Sequence, residues 1–381
     1  MQMGALRVMP VLGLTLGHDS NITRVSDGEI SSFVTVVSPG VRVESGEGAS
    51  RFFLAYEADL ARYADSSIDN YNDHLLSAGF NVEADSRNRF GATASLERGH
   101  DARGTGAREG DFFDFEGRDP DEWRQNSLNG TYDFGAEGAR GSLGLMAGTR
   151  NIEYRNNREY TQFRDRSENY LGGYFGWRIQ PKTRALLQVR QTNIEYDVAP
   201  PRGRPKLDST ERELFAGLEF DATGKTTGRV LAGRIEKDFD AGVYEDFSGF
   251  GWEVGVQFRP RSYSVIDVAT RRSTDETNTF LRDVVSGDGS SFILRRDLTA
   301  AWTHGWNDRF NTTLDLGTST DEYEEGTVRE DDYTFFGVSA KYAFRPWLAM
   351  GAGFKSYSRD SDVPQFEYDR NEVLVTFEGS L

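Results

Sequence analysis

Val373-Leu374-Val375-Thr376-Phe377-Glu378-Gly379-Ser380-Leu381 stands at the end of the sequence and decides how the rest is read. Val373, Val375, Phe377 and Leu381 fall on one parity. Glu372, Thr376, Glu378 and Ser380 fall on the other, with Leu374 the exception. Side chains alternate across a β-strand, so a period of two makes this a strand with one apolar and one polar face. Which of the two faces meets water is a question for the rest of the chain.

Working back toward the N-terminus, alternating segments of roughly 8 to 16 residues recur at a spacing of about 20 residues, and they number about 18. The first carries Val8, Pro10, Leu12, Leu14 and Leu16, and the third Phe52, Leu54, Tyr56, Ala58 and Leu60. Later stripes are Phe250, Trp252, Val254, Val256 and Phe258, then Leu294, Leu298, Ala300 and Trp302, then Phe336, Val338, Ala340, Tyr342 and Phe344. The opposite parity is polar or small: Ser77, Gly79, Asn81 and Glu83 beside Phe80, and Gly249, Gly251, Glu253 and Gln257 beside Trp252.

Composition narrows the class. The net charge of -17 and mean hydropathy of -0.60 suit a polar chain, yet 26 Phe, 16 Tyr and 6 Trp argue against disorder. The acidic balance offers no basic stripe for nucleic acid. Cysteine is absent, which removes disulfides, thiolate metal sites and cysteine nucleophiles. No apolar run approaches the ~20 residues that a membrane helix needs. Met1 to Gly4 carry no secretion signal. A protein bound for the outer membrane is expected to have had one removed.

A soluble sandwich would bury the apolar stripe; a transmembrane barrel turns it to lipid and leaves the polar stripe to a wet lumen. The connectors choose between them. Short turns are expected near Ser45-Gly46-Glu47-Gly48, Ser86-Arg87-Asn88, Gly135-Ala136-Glu137, Gln180-Pro181-Lys182, Ala222-Thr223-Gly224-Lys225, Arg259-Pro260-Arg261, Gly305-Trp306-Asn307-Asp308 and Arg345-Pro346. Longer polar connectors fall between them at 18–29, 64–71, 102–121, 155–162, 198–206, 275–289, 321–331 and 359–364, with a short one near Phe239 to Tyr244. Short periplasmic turns alternating with longer extracellular loops belong to an outer-membrane barrel. Phe258, Trp302, Trp306, Phe344 and Trp347 sit beside the short turns, where an interfacial aromatic girdle belongs. The expected fold is therefore all-β: a single up-and-down antiparallel transmembrane barrel of about 18 strands over residues 1–381, without plug or periplasmic domain. Asp59 to Asp65 and Asp119 to Gln125 are the only stretches that suggest a helical turn or two.

The first hairpin carries Gly17-His18-Asp19-Ser20-Asn21-Ile22-Thr23-Arg24 and then Val37-Ser38-Pro39-Gly40-Val41. With His18 at a position that is usually aromatic, these motifs resemble those of the putative beta-barrel porins often encoded in bacterial exopolysaccharide clusters. The resemblance implies an outer-membrane channel that exports a polysaccharide with a periplasmic export partner. It also implies a C-terminal strand read by the barrel-assembly machinery. The other readings are a general or sugar-selective diffusion porin, a structural barrel with a closed lumen, and a barrel hydrolase.

Candidate channel residues come from the polar parity: Arg42, Glu83, Glu97, Arg150, Arg178, Arg190, Glu219, Arg234, Glu236, Glu253, Asp267, Arg271, Arg295, Asp297, Asp315 and Lys341. They either pair across neighbouring strands and keep the lumen wet, or contact a passing solute. Residues 102–121 are a candidate for a loop folded inside. Asp111, Phe112, Phe113, Asp114, Phe115 and Glu116 are its possible constriction; a solvated loop and a calcium site are the alternatives. His18, His74, His100 and His304 lack metal-ligand spacing, and no Gly-x-Ser-x-Gly elbow or nucleotide motif is present. No enzyme activity, cofactor or metal is expected. The lipids of the outer membrane are the expected surroundings.

Overall fold

The computed structural model describes residues 2–3, 6–46, 50–109, 119–136, 138–201, 203–222, 224–277, 290–325 and 329–380. Eighteen antiparallel strands form one closed barrel. They are β2 (Leu6–Asp19), β3 (Ser32–Ser45), β4 (Ser50–Tyr63), β5 (Tyr71–Glu83), β6 (Asn88–Asp101), β7 (Asp121–Phe134), β8 (Gly141–Tyr154), β9 (Arg166–Gln180) and β10 (Thr183–Tyr196). The second half holds β11 (Ser209–Asp221), β12 (Thr226–Phe239), β13 (Phe247–Arg261), β14 (Ser264–Glu276), β15 (Phe292–Asn307), β16 (Phe310–Glu324), β17 (Arg329–Arg345), β18 (Leu348–Ser361) and β19 (Tyr368–Ser380). A two-residue strand, β1 (Gln2–Met3), pairs with the start of β2.

Each strand pairs with the next in sequence, and β19 closes on β2 through Val373↔His18, Val375↔Leu16 and Phe377↔Leu14. Closure leaves the barrel no free edge. The apolar parity points outward: Leu12, Leu54, Leu96, Leu145, Leu171, Leu214, Phe250, Leu316 and Val373 are all exposed. An apolar belt of this extent around the barrel is a lipid-facing surface. Phe258, Trp302, Trp306, Phe344 and Trp347 are exposed beside the short turns. Among the described residues the interior holds two small apolar clusters, Ile194, Tyr196, Leu207, Phe239, Phe292 and Leu294 in one, and Leu186, Phe215, Leu231 and Ile235 in the other.

The first cluster has a specific cause. Pairing of β13 with β14 stops at Trp252↔Arg272, while β14 and β15 stay paired up to Glu276↔Phe292. The upper β14–β15 hairpin thus parts from β13 and leans on the inner wall. Phe292 and Leu294 share the parity of exposed Leu298, yet each is only 2% exposed. The Phe292 ring lies 5.3 Å from Phe247 and 6.2 Å from Phe239. Glu276 goes in with them, accepting from Lys237 Nζ at 2.6 Å and from the Tyr196 hydroxyl at 2.5 Å.

Three expectations are corrected. The connector placed at 321–331 is mostly strand, because β16 runs to Glu324 and β17 starts at Arg329. Its acidic residues sit on alternating faces there, and charge did not break the ladder. Two short turns fall later than their Pro or Gly suggested, at 262–263 and 308–309. Asp59 to Tyr63 belong to β4 and Asp121 to Gln125 to β7; helical turns form instead at Ser67–Asp69, Gly106–Arg108, Arg158–Thr161, Gln162–Arg164 and Pro364–Phe366.

Candidate channel and its internal loop

Because side chains alternate, the outward apolar residues fix what faces in. Arg42, Glu83, Glu97, Arg150, Arg178, Arg190, Glu219, Glu253, Asp267, Arg271, Arg295, Asp297, Asp315 and Lys341 all fall on the inward parity. Arg234 does not, and neither does Glu236. Arg234 lies opposite Leu214 and Phe250 on the outward face, where it pairs with Glu236 at 2.7 Å. The apolar stripe of β12 is the inverted one: Leu231 and Ile235 face in and are buried by Phe215 and Leu186. Arg234 and Glu236, expected among the channel residues, are therefore on the lipid side of β12.

Many inward charges pair with neighbours. Arg150 pairs with Glu168 at 2.5 Å, Arg184 with Glu219 at 2.6 Å, Arg295 with Asp321 at 2.6 Å and Asp275 at 2.9 Å, and Lys341 with Glu378 at 2.7 Å. Arg42 pairs along its own strand with Glu44 at 2.6 Å and stacks on Phe53, and Arg271 reaches Glu213 at 3.6 Å. Arg190 lies over the Tyr170 ring, and Asp267 accepts from Gln257 at 2.8 Å. Among the described residues Glu253, Asp297 and Asp315 form no ion pair and are left to water or a solute. On the short-turn side the lumen opens into a cavity of about 1090 Å³ whose walls include Arg178, Arg184, Arg229, Glu219, Asp267 and Asp315.

The connector between β6 and β7 closes part of the other half. Its residues 102–109 turn into the lumen. Gly104 makes this possible: its φ is +74°, and a Cβ there would lie 2.2 Å from the Thr23 carbonyl oxygen. Arg103 donates to Asp69 at 3.1 Å and to Ser66 at 2.9 Å, while Arg24 donates to the Arg103 carbonyl at 2.8 Å. Arg108 is buried and donates to Asp121 at 3.0 and 3.2 Å; Asp121 also accepts from Tyr160 at 2.9 Å and Asn157 at 2.8 Å. Burial, aided by the Asp121 carboxylate, pushes the Tyr160 phenol up to about 12.

Glu109 then reaches strands on the far side of the β2–β19 seam. Its Oε2 accepts from Arg329 Nη2 at 3.0 Å, Arg359 Nη2 at 3.4 Å and the Tyr323 hydroxyl at 3.5 Å. Arg329 also donates to Asp331 at 2.9 Å and stacks on Phe366 and Tyr323. Burial pushes the Glu109 carboxyl above the ordinary glutamate range, and Arg329 pulls the other way. Residues 102–109 thus form a strap into the lumen, held at Arg108 by Asp121 and at Glu109 by Arg329 and Arg359. Asp111, Phe112, Phe113, Asp114, Phe115 and Glu116 lie outside the described residues. Arg329 and Asp331 lie in the 321–331 stretch and Arg359 in the 359–364 stretch, both expected as loops, where parity is not counted. With β17 starting at Arg329 and β18 running to Ser361, all three fall on the inward parity with Tyr333 and Phe335.

The histidines stay apart. His74 Nδ1 meets the Tyr56 hydroxyl at 2.9 Å, His100 holds Asp73 at 3.0 Å, His304 lies among Trp302, Trp306 and Tyr263, and His18 contacts Phe33. The first-hairpin motif clasps the seam. Asn21 is fully buried and donates to the carbonyls of Val25 at 2.8 Å and Asp369 at 2.9 Å; Asp19 receives Arg370 at 2.7 and 3.0 Å.

Residues 1–380 match the family model described as "Putative beta-barrel porin 2". No curated protein matches the sequence. The fold is similar to that of a BenF-like porin from Pseudomonas fluorescens Pf-5, with a TM-score of 0.52 and 10% identity over 100% of both chains. It is also similar to Pseudomonas aeruginosa OccK2 (OpdF) in complex with glucuronate, with a TM-score of 0.52 and 11% identity over 98% of each chain. The FrpB iron transporter from Neisseria meningitidis (F3-3 variant) matches at a TM-score of 0.48 and 12% identity, over 94% of this chain but only 62% of the transporter. At such identities the likeness is one of fold.

Proposed function

The chain belongs to the putative beta-barrel porin 2 family, placing it in the bacterial outer membrane, and on that premise we propose that it is a diffusion channel for small polar solutes. The observation that carries this reading is the strap: Glu109 seated on Arg329 and Arg359 divides the bore of a barrel otherwise wide enough for an aqueous channel. A divided bore suits single small solutes better than a continuous polymer. Both signs of charge line the lumen, with Glu253, Asp297 and Asp315 free among the described residues. That favours hydrated polar solutes over apolar ones and adds a bias toward cations.

The polysaccharide conduit rested on two short motifs. Asp19 and Asn21 of the first are taken up in clasping the seam, which any barrel needs whatever it passes. Channel transport, with no chemistry done on the solute, is the reading that the paired lumen charges support.

The test is reconstitution of the full chain in planar bilayers and in liposomes with sugars of rising size. Steady conductance and swelling rates that fall with sugar size are expected. A silent bilayer, with protein shown to be inserted and folded, would overturn the reading.

A further inference from the structure

Two pairs of arginines stand directly opposite each other on neighbouring strands, on the outward parity: Arg98↔Arg124 of β6 and β7, and Arg272↔Arg296 of β14 and β15. Like charges placed so destabilise a sheet unless something neutralises them. The second pair is satisfied by the protein itself. Arg296 forms an ion pair with Glu322, and Arg272 donates to the Phe250 carbonyl at 2.5 Å. The first pair is not. Among the described residues neither Arg98 nor Arg124 has an ion pair, and Arg124 only donates to the Asn126 side chain at 3.2 Å.

The location of this pair is specific. Leu96 and Leu128, both exposed, are the last apolar residues of the outward stripes on β6 and β7, and the arginines lie just beyond them on the loop side. Pairing of β5 with β6 ends at His74↔Arg98, and above it the strands part. The gap is a notch of about 300 Å³ lined by Asn72, His74, Arg98, Arg124, Arg155 and one acid facing it from β7, Glu122. Arg155 holds Glu153, the residue opposite Arg124 on β8, at 2.9 Å, and His100 holds Asp73 at the notch wall; against the one remaining acid, Glu122, Arg98 and Arg124 leave the notch a positive excess.

We propose that this notch binds the phosphate of an anionic lipid in the outer leaflet. Guanidinium forks match phosphate oxygens with paired, charge-assisted hydrogen bonds. A phosphate bound between Arg98 and Arg124 removes their repulsion, and its acyl chains continue onto Leu96 and Leu128. The apolar stripe immediately below favours a lipid phosphate over a soluble one, since the lipid alone covers both surfaces. The inference needs the barrel to sit in the outer membrane with its long loops outside; it is independent of what passes through the lumen.

The test uses the full chain, delipidated in detergent, with bound lipid read by native mass spectrometry. The probes are phosphatidic acid, phosphatidylcholine and inorganic phosphate. Phosphatidic acid should be retained at least tenfold better than phosphatidylcholine, and Arg98→Ala/Arg124→Ala should abolish the difference. Arg98→Lys/Arg124→Lys should keep most of it, and Arg212→Ala, which lies on the outward face paired with Asp238, should not change it. Heat-modifiable migration shows whether each variant is folded; if the alanine pair fails to fold, Arg98→Gln alone is read instead. Equal retention of both lipids, or retention unchanged by the substitutions, overturns the proposal. So does displacement of the lipid by a few equivalents of inorganic phosphate, which would make the notch a site for soluble phosphate.

Discussion

Glu109 and Arg329 are 220 positions apart in the chain, and Arg329 Nη2 donates to Glu109 Oε2 at 3.0 Å. This one bond ties a loop that springs from β6 to a strand beyond the barrel seam. Both side chains are largely withdrawn from water, with Arg329 only 1% exposed. Removing one partner of a buried pair costs about 3–5 kcal/mol, because the other charge is stranded. Arg329→Ala leaves Glu109 and Asp331 with Arg359 alone, and that loss is enough to unseat the strap. Single-channel conductance should rise, and Glu109→Ala on top of Arg329→Ala should add little further. Independent, additive effects of the two substitutions would show that the pair does not hold the strap.

The same carboxyl sets a pH dependence. Burial raises Glu109 above its value in a free loop. A raised acid contributes seating stability that is full below the unfolded value, about 4.3, and is lost as pH rises through the folded value. Conductance is therefore expected to fall as pH is lowered toward the unfolded value, as the strap seats more firmly. Glu109→Gln keeps an acceptor for Arg329 but cannot titrate, so it should show the low-pH conductance throughout. A wild-type conductance that rises on acidification would contradict this sign.

Asp19 and Arg370 close the seam between β2 and β19, through two Arg370 contacts to Oδ2 at 2.7 and 3.0 Å and one to Oδ1 at 3.1 Å. Asp19 is 2% exposed and has no water to fall back on. Arg370→Ala should destabilise the barrel by roughly 3 kcal/mol, read as a lower temperature for conversion to the unfolded gel form. Arg370→Lys should recover only part, since a single ammonium cannot make the forked contact. An unshifted transition for Arg370→Ala would remove the clasp from the account.

Asp267 and Asp315 both line the cavity of about 1090 Å³. Asp315 has no ion pair among the described residues, and Asp267 accepts only from Gln257. Replacing both by Asn should lower the cation-to-anion permeability ratio, measured as the reversal potential in a salt gradient. The change should be roughly two- to fivefold, as an exposed charge is worth about 0.2–1 kcal/mol. Lys341→Met, which frees Glu378, should move the ratio the other way.

The barrel was legible because its evidence is local. Val373, Val375 and Phe377 alternate with Thr376 and Glu378 wherever the strand is placed, and the turns at Pro181 and Pro346 interrupt that rhythm with Pro in a way no neighbour can undo. Most inward charges followed from the same parity, Arg150 and Glu219 among them. Where the reading failed, a residue from elsewhere in the chain intervened. Arg234 is expected in the lumen as a polar residue between apolar ones, but Leu231 and Ile235 are the inward pair, packed with Phe215 of β11 and Leu186 of β10. Arg329 and Asp331 were read as loop because acids crowd that stretch, while the partner that stabilises them there, Glu109, comes from another connector.

The sequence by itself determined the strand rhythm, the direction of each strand, most of the outward stripe and the side on which the long loops lie. All of these depend on alternation and turn chemistry within about ten residues of each other. Only the tertiary structure decided that the β6–β7 connector enters the bore, that the upper β14–β15 hairpin leaves β13 to lean on Phe239 and Phe247, and that Arg98 meets Arg124 with no ion pair to either among the described residues. Those outcomes depend on register and on contacts across the closed barrel. No pattern along one strand encodes which charge or ring will stand opposite it once the sheet has closed.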